Sequence, residues 1–142
     1  MTAEVVRAAV AEGTLDVAEH AALVEHAGAG AVVTFAGVVR DHDSGKSVAG
    51  LTYSAHPTAA AVVAEVAADV AARAAGVRAI AVSHRIGALG VGDVALACAV
   101  AADHRREAFT TCAELVDEVK RRLPVWKHQA FADGTDEWVN SA

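Results

Sequence analysis

Apolar and polar positions alternate with a changing period along the 142 residues, and the changes divide the chain into elements. Glu4 to Val10 reads as a first strand. Asp16-Val17-Ala18-Glu19 has the form of a helix start, with Asp16 as cap and Glu19 three residues on, and that helix is expected to run to about Ala27. Gly28-Ala29-Gly30 ends it. The run from Ala31 to Val39 then reads as a buried strand with Gly37 inside it, followed by Arg40. Asp41 to Ser47 is polar and rich in turn formers, so a mobile surface loop is expected there. A short strand near Leu51 to Ser54 leads through Pro57 into a helix from Thr58 to Ala75, stopped by Gly76. Two strands, Val77 to Ile86 and Asp93 to Ala102, are expected on either side of a glycine-rich loop at 87–92.

A third helix is expected after Asp103, because Ala108, Phe109, Cys112, Leu115, Val116 and Val119 fall on one stripe of a 3.6-residue period. Pro124 forbids its continuation and restricts Leu123 before it. Val125 to Phe131 and Glu137 to Asn140 then pair as a hairpin around Asp133-Gly134. The order β-α-β-β-α-β-β-α-β-β lacks strict βα alternation. It predicts an α+β fold, a largely antiparallel mixed sheet with helices packed on one side and a C-terminal β-hairpin, in a single domain over 1–142.

Composition narrows the function. The chain is 54% hydrophobic, yet no stretch approaches the roughly 20 apolar residues of a membrane span, and the N-terminus has no secretory pattern. A soluble, cytoplasmic protein without membrane contact is expected. The net charge of −6 argues against general nucleic-acid binding, which needs many neutralised phosphates. Cys98 and Cys112 lie fourteen residues apart and form no close-spaced pair, and the histidines have no ligand-like spacing, so neither a metal nor a cofactor is expected.

The charge that does stand out is basic and local. Only three lysines occur, and two of them, Lys120 and Lys127, bracket Arg121-Arg122-Leu123-Pro124-Val125-Trp126. Chain reversal at Pro124 brings both ammonium groups within reach of one pocket, where mutual repulsion and burial lower a lysine pKa and fit it for proton transfer. Helix C-termini also attract Lys and Arg through the macrodipole, and that reading stays open for Lys120-Arg121-Arg122. His104-Arg105-Arg106 opens the same helix against its dipole, either as part of an anion site or as an exposed turn paired to Asp103 or Glu107. Arg40, at a strand end, suits phosphate or carboxylate but equally a surface ion pair. For His84-Arg85 structural pairing is the simpler reading.

Taken in order, Phe35-Ala36-Gly37-Val38-Val39-Arg40, His84-Arg85-Ile86-Gly87, Gly92-Asp93, His104-Arg105 and Leu123-Pro124-Val125-Trp126-Lys127 resemble the catalytic large subunit family of molybdopterin synthase, from about Ala31 to Val139. The resemblance implies an α/β hammerhead-like fold and a sulfurtransferase of molybdenum cofactor biosynthesis. Such an enzyme turns cyclic pyranopterin monophosphate into the molybdopterin dithiolene. The sulfur comes from a small ubiquitin-like carrier protein bearing a C-terminal Gly-Gly thiocarboxylate, bound to a homodimer core to make a heterotetramer. It further implies Lys120 and Lys127 as catalytic residues and Val38, Val39, Arg40, His104, Arg105, His128 and Gln129 as substrate-binding residues, with Phe35 and Trp126 lining the pocket. Three features depart from the family pattern: Ser54 and Gln129 stand where glutamate is common, and the sequence stops at Ala142 without a charged tail. A noncatalytic α+β module that binds an anionic metabolite and regulates a partner is the alternative.

Overall fold

The computed structural model describes residues 2–142. Its elements are β1 (Glu4–Ala11), α1 (Val17–Leu23), β2 (Ala31–Val38), β3 (His42–Asp43), β4 (Lys46–Ala55), α2 (Ala59–Arg73), β5 (Val77–Arg85), β6 (Gly87–Leu89), β7 (Val94–Ala102), α3 (Arg105–Arg122), β8 (Val125–Phe131) and β9 (Asp136–Val139). The α+β class, the mixed and mostly antiparallel pairing and the C-terminal hairpin are all present. The strands divide into two sheets. One has the order β1-β5-β7-β2, in which only β1 and β5 run parallel; the other has the order β3-β4-β8-β9, with β6 also paired to β4.

Strand alternation decides which helix covers which face. On β5 and β7 the larger side chains Ile80, Val82, Cys98 and Val100 point one way, and α2 and α3 pack over them. α2 presents Val63, Val66 and Val70 at helical spacing, each fully buried, and α3 presents Ala108, Cys112, Leu115 and Val119. Each such valine or leucine contributes roughly 1.5–3 kcal/mol by leaving water. Ion pairs of Arg73 with Glu114 and of Arg122 with Asp69 (2.8 Å) join the two helices at their rims. The opposite face of the sheet carries the small residues Ala79, Ala81, Ala99 and Ala101, and against them sits Val24 at the end of α1. One-sided packing therefore describes α2 and α3, while α1 lies across the other face, where alanines allow a close approach.

Several boundaries move for local reasons. Asp16 caps α1 as expected, accepting from the Glu19 N–H at 3.2 Å, but the helix stops at Leu23. The His26 ring takes the Gly28 N–H at 2.9 Å, which holds the following residues in turns. Residues 41–47, expected as a mobile loop, instead form a hairpin: Ser44 (φ 51°) and Gly45 (φ 77°) make a two-residue turn between β3 and β4. β4 is consequently ten residues long rather than four. The glycine-rich stretch supplies β6, whose Leu89 carbonyl would lie 3.3 Å from a Cβ at Gly50, so the close strand approach favours glycine there.

The junction that matters most is the end of α3. Leu123 leaves the helical region (φ −70°, ψ 120°) ahead of Pro124, and β8 begins at Val125, antiparallel to β4 and locked to it by pairs such as Tyr53↔Lys127 and Leu51↔Gln129. The last turn of α3 and the inner face of β8 thus converge on the same space.

Candidate active site

Between the two sheets lies a cavity of about 240 Å³. The end of β2 and the residues after it supply Gly37, Val38, Val39 and Arg40; β4 supplies Leu51 and Tyr53, β5 supplies His84, and β8 supplies Lys127 and Gln129. Lys120 comes from the last turn of α3, and Ala142 closes one side. Six of the expected residues, Val38, Val39, Arg40, Lys120, Lys127 and Gln129, are therefore brought together from three separate parts of the chain.

The other five are placed elsewhere by simple geometry. Along β8 the inward positions are Val125, Lys127, Gln129 and Phe131; Trp126 and His128 fall on the alternate positions and face away from the cavity. Trp126 lies beside His56 on that outer face, and His128 stacks on Trp138 with ring centroids 4.4 Å apart and holds Asp136 at 2.7 Å. Phe35 points into an apolar groove with Phe109, Cys112 and Val116. His104 and Arg105 line a third depression at the start of α3, with Arg106 and Phe109. Arg121 and Arg122 are engaged by Glu118 (2.7 Å) and Asp69 (2.8 Å), in keeping with ordinary helix-end charges.

The electrostatics of the cavity are those of a cation cluster set over a buried floor. Burial, and after it the charge of Lys127, lowers the Lys120 pKa from the usual ammonium value. Lys120 is still reached by solvent, and its ammonium donates to the Ala142 main-chain oxygen at 3.3 Å. The Lys127 ammonium has no hydrogen bond or ion pair among the described residues. Arg40 faces Asp43 at 3.5 Å, and the amide of Gln129, itself buried, donates to the same carboxylate at 2.6 Å. That hydrogen bond is the main reason the Asp43 pKa is lowered, aided by the charges of Lys127 and Arg40.

His84 forms part of the floor, packed edge-to-face on Tyr53 with centroids 4.8 Å apart. It is 1% exposed, its Nδ1 meets no partner, and its pKa is lowered to about 4 by burial, reinforced by Lys120 and partly opposed by the Arg85 backbone. The imidazole is neutral at pH 7. Arg85, by contrast, turns to Asp93 (3.6 Å), the structural pairing expected for it. Both cysteines are core thiols: burial raises the pKa of each, that of Cys112 to about 11, so neither is a ready nucleophile. Among the described residues no group of three or more His, Cys, Asp or Glu is arranged to hold a metal, and no helix is long and apolar enough to cross a membrane.

Sequence reasoning passed over Tyr53, His84, His42 and Asp43 as contributors to the site. His42 and Asp43 were hidden by the reading of their segment as a loop, although Ser44-Gly45 is a legible two-residue turn. Tyr53 becomes visible only through its cross-strand pairing with Lys127.

Comparison with known proteins identifies the family. Residues 10–122 match the MoaE protein family. The chain is 36% identical over 133 residues to the molybdopterin synthase catalytic subunit of a Nostoc species, covering 93% of this chain and 81% of that protein. Its fold superposes on the crystal structure of molybdopterin synthase from Staphylococcus aureus with a TM-score of 0.84 at 26% identity, over 92% of this chain and 94% of that one. The fold recurs at 19% identity and TM-score 0.66, over 92% of this chain and 87% of that one, in a complex of subunits 1 and 2 of molybdopterin-converting factor from Helicobacter pylori. With the matched segment spanning most of the chain and including β2, β5, β7 and α3, the chain belongs to the MoaE family, that of the molybdopterin synthase catalytic subunit.

Proposed function

We propose that the chain transfers sulfur from the C-terminal thiocarboxylate of a small carrier protein to cyclic pyranopterin monophosphate, forming the molybdopterin dithiolene. The observation that carries this reading is the convergence of Arg40, Lys120 and Lys127 on one cavity lined by no acidic side chain, with Asp43 set behind Arg40. Such a cluster suits a substrate bearing a phosphate and a reaction in which negative charge develops on oxygen. The thiocarboxylate sulfur is itself the nucleophile, which agrees with the inert cysteines. Lys120, with its lowered pKa, is fitted to exchange a proton as the cyclic phosphate opens, and the unpaired ammonium of Lys127 to stabilise an oxyanion.

The Lys120 contact with a main-chain oxygen at Ala142 supports a tail-binding role for this wall of the cavity, because a Gly-Gly terminus offers the same kind of oxygen on a side chain-free backbone. His104 and Arg105 lie in a different depression, so their expected role at the substrate requires delivery by a second copy of the chain. The homodimer is supported by the uncharged edge strand β2 and by the groove beside it, where Phe109 is 62% exposed.

The test is Lys127→Ala. It is expected to abolish dithiolene formation while the carrier still binds, as measured by product assay and calorimetry. Full activity in that variant eliminates the assignment, and a protein that binds substrate and carrier but consumes neither is the noncatalytic module.

A further inference from the structure

The pairing of Arg40 with Asp43 is a built feature of the cavity. Asp43 ends β3, and the Ser44-Gly45 turn sets it opposite Lys46, so its position follows from that of β4. β4 is in turn registered against β8, whose Gln129 is 3% exposed and points inward. The two carboxylate oxygens of Asp43 divide their work: Oδ2 accepts from the Gln129 amide at 2.6 Å, and Oδ1 faces Arg40 at 3.5 Å. A carboxylate that merely balanced a surface arginine would need no buried amide to hold it. Here the amide keeps negative charge at the rim of a cavity that otherwise gathers positive charge.

We infer that Asp43 is the internal counter-anion of this pocket, a positioning residue that holds Arg40 in place and that an anionic ligand group must displace from the guanidinium. The inference rests on the reading of Arg40 as an anion-binding residue. Asp43 is ionised across the neutral range, because its pKa is lowered chiefly by the Gln129 hydrogen bond. The competition is therefore present whenever an anion arrives. Its consequence has an unusual sign: removing the acid strengthens binding. Asparagine preserves the shape and an acceptor for Gln129 but takes away the competing charge. A residue that only supports the hairpin would, when altered, weaken binding.

Titration of inorganic phosphate into the intact chain at fixed ionic strength, followed by calorimetry, tests this with Asp43→Asn and Arg40→Ala. Asp43→Asn is expected to bind phosphate roughly threefold to fivefold more tightly, the effect of an ion pair that remains open to water, and Arg40→Ala about tenfold more weakly. The KM for the pterin substrate falls by the same factor in Asp43→Asn, without a rise in kcat. Asp43→Ser is expected to change affinity in the same direction and replaces Asp43→Asn should that variant not fold. Unchanged or weaker binding in the Asp43 variants, with Arg40→Ala still impaired, overturns the inference and leaves the anion site standing. No loss of phosphate binding or rise in substrate KM in Arg40→Ala removes the anion site itself, and the inference with it.

Discussion

Replacing Lys120 with methionine separates what this residue does for activity from what it does for stability. The lowered pKa means that folding holds the ammonium in a place it disfavours, first by burial and then through Lys127. Methionine keeps a flexible apolar stem and removes the charge. Removing the charge relieves that penalty, and because the side chain is still reached by water, screening keeps the relief small. Against this stands the loss of the 3.3 Å contact with the Ala142 oxygen, which is long for a hydrogen bond and contributes about 0.5 kcal/mol. The two nearly cancel. With an unfolding entropy of about 2.1 cal/mol/K per residue over 142 residues, Tm moves by no more than about 3 °C. Loss of a proton-transfer group costs about 10²–10⁴ in rate. Calorimetric melting combined with single-turnover product formation is the assay. Activity within threefold of the unmodified chain, or inactivity accompanied by a Tm drop of more than about 10 °C, refutes the reasoning.

His84 gives a prediction in pH. Its pKa of about 4 in the folded chain lies below the ordinary value of 6.5, so the unfolded chain takes up the proton first as pH falls. Stability therefore declines from about pH 6.5 to about pH 4, by about 3 kcal/mol in all, and denaturant melts of His84→Phe, which keeps the packing on Tyr53, show a shallower decline; an unchanged slope contradicts the assignment. Leu115 is fully buried in α3 against the sheet, and Leu115→Ala is expected to cost 2–5 kcal/mol in urea unfolding. A loss below about 1 kcal/mol would mean that α3 is not packed as described.

Much of the fold was legible because its periodicities are clean. The α3 stripe, the stop at Pro124 and the Asp133-Gly134 turn each depend on neighbouring residues alone, and each falls where expected, except that Phe109, expected on the stripe, is exposed and Thr111 is buried there instead. The division into two sheets, and the placement of α1 on the alanine face, depend on which strands meet across long separations, and no local pattern encodes that. The site divides in the same way. Lys120 and Lys127 are conspicuous because lysine is scarce, and Arg40 because it stands at a strand end. Trp126 and His128 are expected at the pocket from the family resemblance, but a strand sends neighbouring side chains to opposite faces, and Lys127 takes the inward one. Asp43 and Tyr53 join the site through pairings of β4 with β3 and β8, which only the assembled sheet reveals.

The most direct measurement combines the purified chain with thiocarboxylated carrier and cyclic pyranopterin monophosphate and follows conversion in a single turnover by mass spectrometry. The account predicts a product carrying two sulfurs, formed at the expense of two thiocarboxylates and lost in Lys127→Ala. Carrier and pterin that both bind yet emerge unchanged from the unmodified chain contradict it.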